Sequence, residues 1–163
     1  MSVVVLGIGN TIMSDEGVGV HAVEALRLAY ALPDSVEIID GGTSSMELLD
    51  SLVNLDLLLV VDAVNAGKPE GTLVRLADSE VPVFFRSKLS PHQIGLSDVL
   101  ANLEFVGQFP KKMVVIGVQA ASFDLGLELT PLIAARVPDL VAMVVAELSA
   151  HGIDVSPREL EVA

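Results

Sequence analysis

The sequence predicts an α/β fold. It is a three-layer sandwich with a five-stranded, mostly parallel twisted sheet, one antiparallel strand, and helices on both faces. Three observations lead there. Apolar runs rich in Val, Leu and Ile at 3–5, 36–39, 57–61 and 113–116 read as strands, the third buried on both faces. Between them lie stretches with apolar residues at helical spacing, the alternation that builds a parallel sheet. A further strand at 72–76 follows a connection, 65–71, too short for a crossover helix, so it runs antiparallel.

The elements follow in order. Strand one covers about 2–8 and leads into Gly7-Ile8-Gly9-Asn10. Helix one, about 15–31, places Ala22, Val23, Leu26 and Tyr30 on one face and stops near Pro33-Asp34. Ser14 is its candidate N-cap, and Asp15 and Glu16 suit the positive end of its dipole. Strand two, Val36 to Ile39, ends at Asp40-Gly41-Gly42-Thr43, and helix two follows with Leu48, Leu49, Leu52 and Val53 on one face. Strand three, Leu57 to Val61, ends at Asp62-Ala63-Val64. Strand four runs from Thr72 to Leu76, and 77–91 is a long connection. Helix three starts near His92 and carries Leu96, Val99, Leu100 and Leu103. Strand five, Met113 to Ile116, ends at Gly117-Val118-Gln119, with a loop at 120–129. Thr130-Pro131 opens the last helical region, Pro138 kinks or splits it, and Gly152 closes it. One domain is expected over 1–156, with a charged, flexible tail at 157–163.

Composition narrows the function. The chain has 163 residues and 52% apolar content, enough for one core, which is aliphatic because aromatic residues are few. There is no cysteine, so any metal has to be held by His, Asp, Glu or a partner's ligands. A net charge of −13 argues against nucleic acid, whose phosphates call for Lys and Arg, and suits a basic partner. The N-terminal apolar run is too short for a signal peptide, and no run reaches the ~20 residues of a membrane span. A cytoplasmic protein off the membrane is expected.

The topology gathers chemistry at one edge. Parallel strands one, two, three and five finish on the same side of the sheet, where open α/β sheets bind ligands. Glu16, Asp40, Asp62 and Gln119 lie at or just beyond those finishes, and His92 can reach the same edge. Asp62 follows five apolar residues, where an unpaired carboxylate is costly, so it requires a partner. Nearby backbone, Thr43 or Ser44 would serve structurally. Asp40 reads equally as part of a plain Asp-Gly-Gly turn, and His92 as a cap or surface residue. Together, two carboxylates and an imidazole are suitable donors for a divalent metal, with coordination positions left open. His21, inside helix one, and His151, at the end of the last helix, are set aside as structural. Gly7 and Gly9 make only half of a dinucleotide fingerprint, since Ile12 stands where the third glycine belongs.

These segments resemble the hydrogenase maturation endopeptidases, which process the large subunit of nickel–iron hydrogenases. The likeness covers nearly the whole chain. It rests on Leu6-Gly7-Ile8-Gly9-Asn10 with Asp15-Glu16-Gly17-Val18-Gly19, and on Asp40-Gly41-Gly42-Thr43 with Met46-Glu47-Leu48-Leu49. It continues through Val61-Asp62-Ala63-Val64, Ser90-Pro91-His92-Gln93 with Gly95-Leu96, and Ile116-Gly117-Val118-Gln119. The resemblance implies Glu16, Asp62 and His92 as metal ligands and Asp40 as a residue for substrate recognition. It implies removal of a C-terminal extension from the nickel-loaded large-subunit precursor, with the nickel carried by the substrate. Asp62 and Glu16 are then also the candidate catalytic carboxylates, and a monomer is expected. The competing readings are an aspartic protease working without nickel, a non-catalytic metal-dependent maturation chaperone, and a nucleotide-binding module.

Overall fold

The structure is a computed structural model that describes residues 1–44, 46–84 and 91–158, with the side chains of Pro82, Val83 and His92 outside the described set. Its sheet is built from β1 (Val3–Ile8), β2 (Val36–Gly42), β3 (Leu57–Val64), β4 (Leu73–Ala77) and β5 (Met113–Gln119). The spatial order is β2-β1-β3-β5-β4, with only β4 antiparallel, paired to β5 from Leu73↔Val118 to Ala77↔Val114. The five strands and the single antiparallel member are as expected; the spatial order comes from the structure. Three strands run further than the apolar residues alone suggest: β2 to Gly42, β3 to Val64 and β5 to Gln119. The extra length of the last two is mutual, because β3 and β5 stay in register through Val64↔Gln119.

Alternation along the strands divides the core into two halves. One half takes Val3 and Val5, Leu57, Leu59 and Val61, and Val114 and Ile116, and packs against α1 (Val18–Ala29) and α5 (Val137–Ala150). The other takes Val4 and Leu6, Leu58 and Val60, and Met113 and Val115. It packs against a 3-10 helix at Met46–Leu52 and against α3 (Pro91–Phe105). The two helical layers and the sheet between them are the three layers of the sandwich.

The departures from expectation are local. Helix one is shorter, because Ser14–Gly17 winds as a 3-10 turn before α1 begins. Ser14 does not cap it: its φ is 50°, and its hydroxyl donates to the Asp124 carbonyl. Helix two is 3-10 rather than α. The connection from 77 contains a short helix, α2 (Glu80–Phe84), while 85–90 lies outside the described residues. Pro138 does split the last helical region, into α4 (Pro131–Ala134) and α5, and Gly152 follows with φ 77°. Of the expected tail, Pro157 pairs with Tyr30, and the Arg158 amide donates to the Ala29 carbonyl. Among the described residues, no helix is long and apolar enough to cross a membrane.

Candidate active site at the carboxyl edge of the sheet

Asp62 lies inside its strand rather than after it, opposite Gly117 of β5. It has the parity of Leu58 and Val60, so its side chain turns toward the α3 layer. It is fully buried. Its Oδ1 accepts the Ala63 amide at 2.8 Å, and its Oδ2 accepts Gln93 Nε2 at 2.6 Å. Gln93 also donates to the Ala63 carbonyl at 3.2 Å. The expected backbone partner is therefore present. The side-chain donor, Gln93, comes from the first turn of α3, and this role was not foreseen. The signal was in plain view, since Gln93 directly follows His92 in the helix-three motif.

Glu16 and Asp15 occupy the 3-10 turn between β1 and α1, and both are buried. Their surroundings differ. Asp15 is an acceptor for the distant loop. It takes the amides of Ala121 at 3.0 Å, Ser122 at 2.9 Å and Thr130 at 2.8 Å, together with the Thr130 hydroxyl. Thr130 thus spends its hydroxyl on Asp15 and gives no side-chain cap to α4, although Pro131 does occupy the first turn. Sequence reasoning placed Asp15 at a helix dipole and missed that it organises the loop, because the donors lie more than 100 residues away.

Glycines let this turn reach the sheet. A Cβ on Gly19 would collide with the backbone oxygens of Val61 and Ile8, so only glycine lets α1 lie this close to β1 and β3. Gly9, at φ 136°, is pressed against the Glu16 carbonyl in the same way. The glycines therefore serve close packing of backbone on backbone. The turn of Glu16 packs against β3, the strand of Asp62.

The other predicted residues sort by position. Asp40 is exposed at the end of β2, level with Gly7 of β1. Gly7 also faces Val61 of β3, so Asp40 sits two strand spacings, roughly 10 Å, from the strand of Asp62. Gln119 at the end of β5 is buried, and its Oε1 accepts the amides of Ala66 at 2.8 Å and Lys68 at 3.4 Å, shaping the loop after β3. His92 belongs to the first turn of α3, one residue from Gln93, and its side chain lies outside the described residues. Among the described residues, no three His, Cys, Asp or Glu side chains form a group able to hold a metal. The backbone thus brings the Glu16 turn, the Asp62 strand and the start of α3 to one edge.

The histidines set aside lie elsewhere. His21 is in α1, with Nε2 buried and no hydrogen-bond partner for that atom among the described residues. His151 follows α5, and its Nε2 lies 3.3 Å from Glu147 Oε1. Glu147 is itself buried and receives both Nε and a terminal nitrogen of Arg75, each at 2.9 Å. That fork holds the Glu147 carboxyl below its ordinary range, against the opposing effect of burial, with His151 a smaller contributor.

Comparison with known proteins gives a consistent answer. The family model for hydrogenase maturation proteases matches residues 20–147. The chain is 46% identical over 160 residues to the hydrogenase 2 maturation protease of Escherichia coli strain K12, covering 98% of each. It is 41% identical over 159 residues to the hydrogenase expression/formation protein HupD of Thiocapsa roseopersicina, covering 96% of this chain and 72% of that one. Among solved structures it superposes on the hydrogenase maturating endopeptidase HybD from E. coli with a TM-score of 0.94 and 45% identity, over 97% of this chain and 98% of the other.

Proposed function

The chain belongs to the hydrogenase maturation protease family, and from that premise we propose that it removes the C-terminal extension of the nickel-loaded large-subunit precursor of a nickel–iron hydrogenase. Members of this family are endopeptidases, hydrolases of peptide bonds, and the chain is one of them. In the reading proposed here, the nickel arrives on the substrate and is recognised by Glu16, Asp62 and His92. Asp40, exposed two strands away, contributes to substrate recognition. The protein acts as a monomer in the cytoplasm.

One observation carries this reading. A fully buried aspartate on β3 is hydrogen-bonded to the first turn of α3, and the turn of a second buried acid packs on the same strand. Two buried carboxylates near the ligand-binding edge of an α/β sheet are donors that a cation there would use. Oxygen and imidazole donors suit nickel, a borderline metal, and a shared metal would fix the precursor relative to the protease. The scissile bond is then held in place, and a carboxylate of this chain is positioned to take the proton of an attacking water.

The test is cleavage of purified, nickel-loaded precursor, compared with the nickel-free form. Nickel-dependent cleavage supports the proposal. Equal cleavage of both forms favours the aspartic-protease reading, and binding without cleavage favours a chaperone. His92→Ala is expected to stay folded and to process at a rate at least about 100-fold lower. Full activity in that variant would remove the metal bridge from the mechanism.

A further inference from the structure

The loop stitched to the Glu16 turn carries an unusual surface. Phe123, Leu125 and Leu127 are 38%, 83% and 74% exposed, and Ile12, across the stitch, is 52% exposed. Loops of soluble proteins are normally polar where they are this open, and adjoining exposed apolar residues mark interaction sites. This loop is also fixed in place. The Gly126 amide donates to the Ile12 carbonyl, and the Ser14 amide to the Gly126 carbonyl, both at 2.9 Å. The Ser14 hydroxyl donates to the Asp124 carbonyl at 2.7 Å. Asp15 then anchors both flanks, through Ala121 and Ser122 on one side and Thr130 on the other. A preformed apolar surface loses little conformational entropy when a partner covers it.

We propose that Ile12, Phe123, Leu125 and Leu127 form the docking platform for the hydrogenase precursor, separate from the residues that meet its metal. The proposal rests on the processing function proposed above. Two observations choose the occupant. The platform is continuous with the site, because Ile12 and Glu16 belong to one turn-forming segment. The exposed acids Asp124 and Glu128 are interleaved with the leucines. Apolar side chains flanked by acids fit an apolar segment that carries basic residues, and the chain's net charge of −13 draws such a segment in. The platform therefore sets affinity for the precursor, while the edge residues act on the bond.

The experiment uses Leu125→Ser/Leu127→Ser in the full chain. Both side chains face solvent, and a melting curve confirms folding. A control, Phe105→Ser/Val106→Ser, removes equally exposed apolar residues at the end of α3, on the opposite pole. Binding of full-length precursor is measured by interferometry, and its cleavage is followed in parallel on gels. The platform variant is expected to bind at least about tenfold more weakly and to raise KM while keeping kcat, with the control unchanged. Glu128→Lys is expected to weaken binding about threefold, an effect that fades at high salt. Wild-type binding by the double variant overturns the platform. So does a change confined to self-association, which would make this face a contact between two copies of the chain. If the wild-type protein binds the precursor without cutting it and the variant binds more weakly, docking stands and the processing reading falls. If the wild-type protein does not bind the precursor, both fall.

Discussion

Asp15 and Glu147 are both buried carboxylates, and they are closed in opposite ways. Glu147, on α5, is gripped by the guanidinium of Arg75 from β4, so a single flexible cation joins the edge strand to the helical layer. Asp15 is closed by three backbone amides and a hydroxyl, all from one loop. The Arg75 fork orients the Glu147 carboxylate, but it is a contact between side chains and leaves the backbone path to the strand and the helix. Backbone amides do not reorient independently, so their acceptor dictates the path of the loop that supplies them. Asp62 resembles Asp15 in accepting a backbone amide, adds the side-chain amide of Gln93 as a second donor, and joins β3 to α3. The carboxyl edge is thus held by donors that set the path of the backbone, and the β4–α5 junction by a fork between two side chains. The first arrangement suits chemistry, and the second suits stability.

The sharpest way to test that contrast is Asp62→Asn. The amide is nearly isosteric but turns one acceptor into a donor, and the neighbours of both oxygens are donors. Turning Gln93 over would relieve its contact with the new amide, but would set Gln93 Oε1 against the Ala63 carbonyl that Nε2 now serves. The variant should fold, melt somewhat lower, and lose about 1,000-fold in precursor cleavage, roughly 4 kcal/mol of barrier. Cleavage within threefold of wild type would mean that Asp62 has only a structural role. Next in size is Asp15→Ala. It strands buried donors and should cost about 3 kcal/mol by denaturant unfolding, with raised hydrogen exchange at Ala121, Ser122 and Thr130. Unchanged exchange there would refute the claim that Asp15 sets the loop. Gly19→Ala weighs two effects. Alanine favours a helix by about 1 kcal/mol, but its Cβ meets two backbone oxygens that have nowhere to go. The clash should win, leaving a net loss of about 2 kcal/mol and a melting temperature below that of wild type.

These residues also show what sequence could and could not reveal. The succession of strands and the one antiparallel member were legible, because connection length and buried runs are local properties: 65–71 is too short to cross over whatever lies elsewhere. Asp62 was legible as a residue needing a partner, since five apolar neighbours define its burial without reference to the rest of the chain. The identity of its partner was not, because Gln93 arrives from a helix that begins 29 residues later, at Pro91. Asp15 shows the limit most clearly. Adjacent acids at a helix start are fully explained by the dipole, so nothing prompted a search for a second role, and the donors that define it, at 121, 122 and 130, lie more than 100 residues away. The 3-10 form of Met46–Leu52 escaped for a different reason: apolar residues at 48, 49 and 52 satisfy an α-helical face and a 3-10 turn about equally well.

The smallest effect tests the fork itself. Because Arg75 holds the Glu147 carboxyl below its ordinary value of 4.5, the folded state binds the proton more weakly than the unfolded chain does. The resulting stabilisation is complete above pH 4.5 and is lost as the pH falls from there through the lower folded value. Arg75 is about half exposed, with 48% of its side chain accessible, so solvent screens the pair and its worth is about 1 kcal/mol. Glu147→Gln should therefore cost about 1 kcal/mol at pH 7, with the gap from wild type closing as the pH drops below 4.5. Precursor cleavage at pH 7 should stay within twofold of wild type, since the fork joins β4 to α5 and bonds to none of the carboxyl-edge acids. If the Gln variant instead loses cleavage to the extent expected of Asp62→Asn, the two regions are mechanically coupled, and the division between the carboxyl edge and the β4–α5 junction fails.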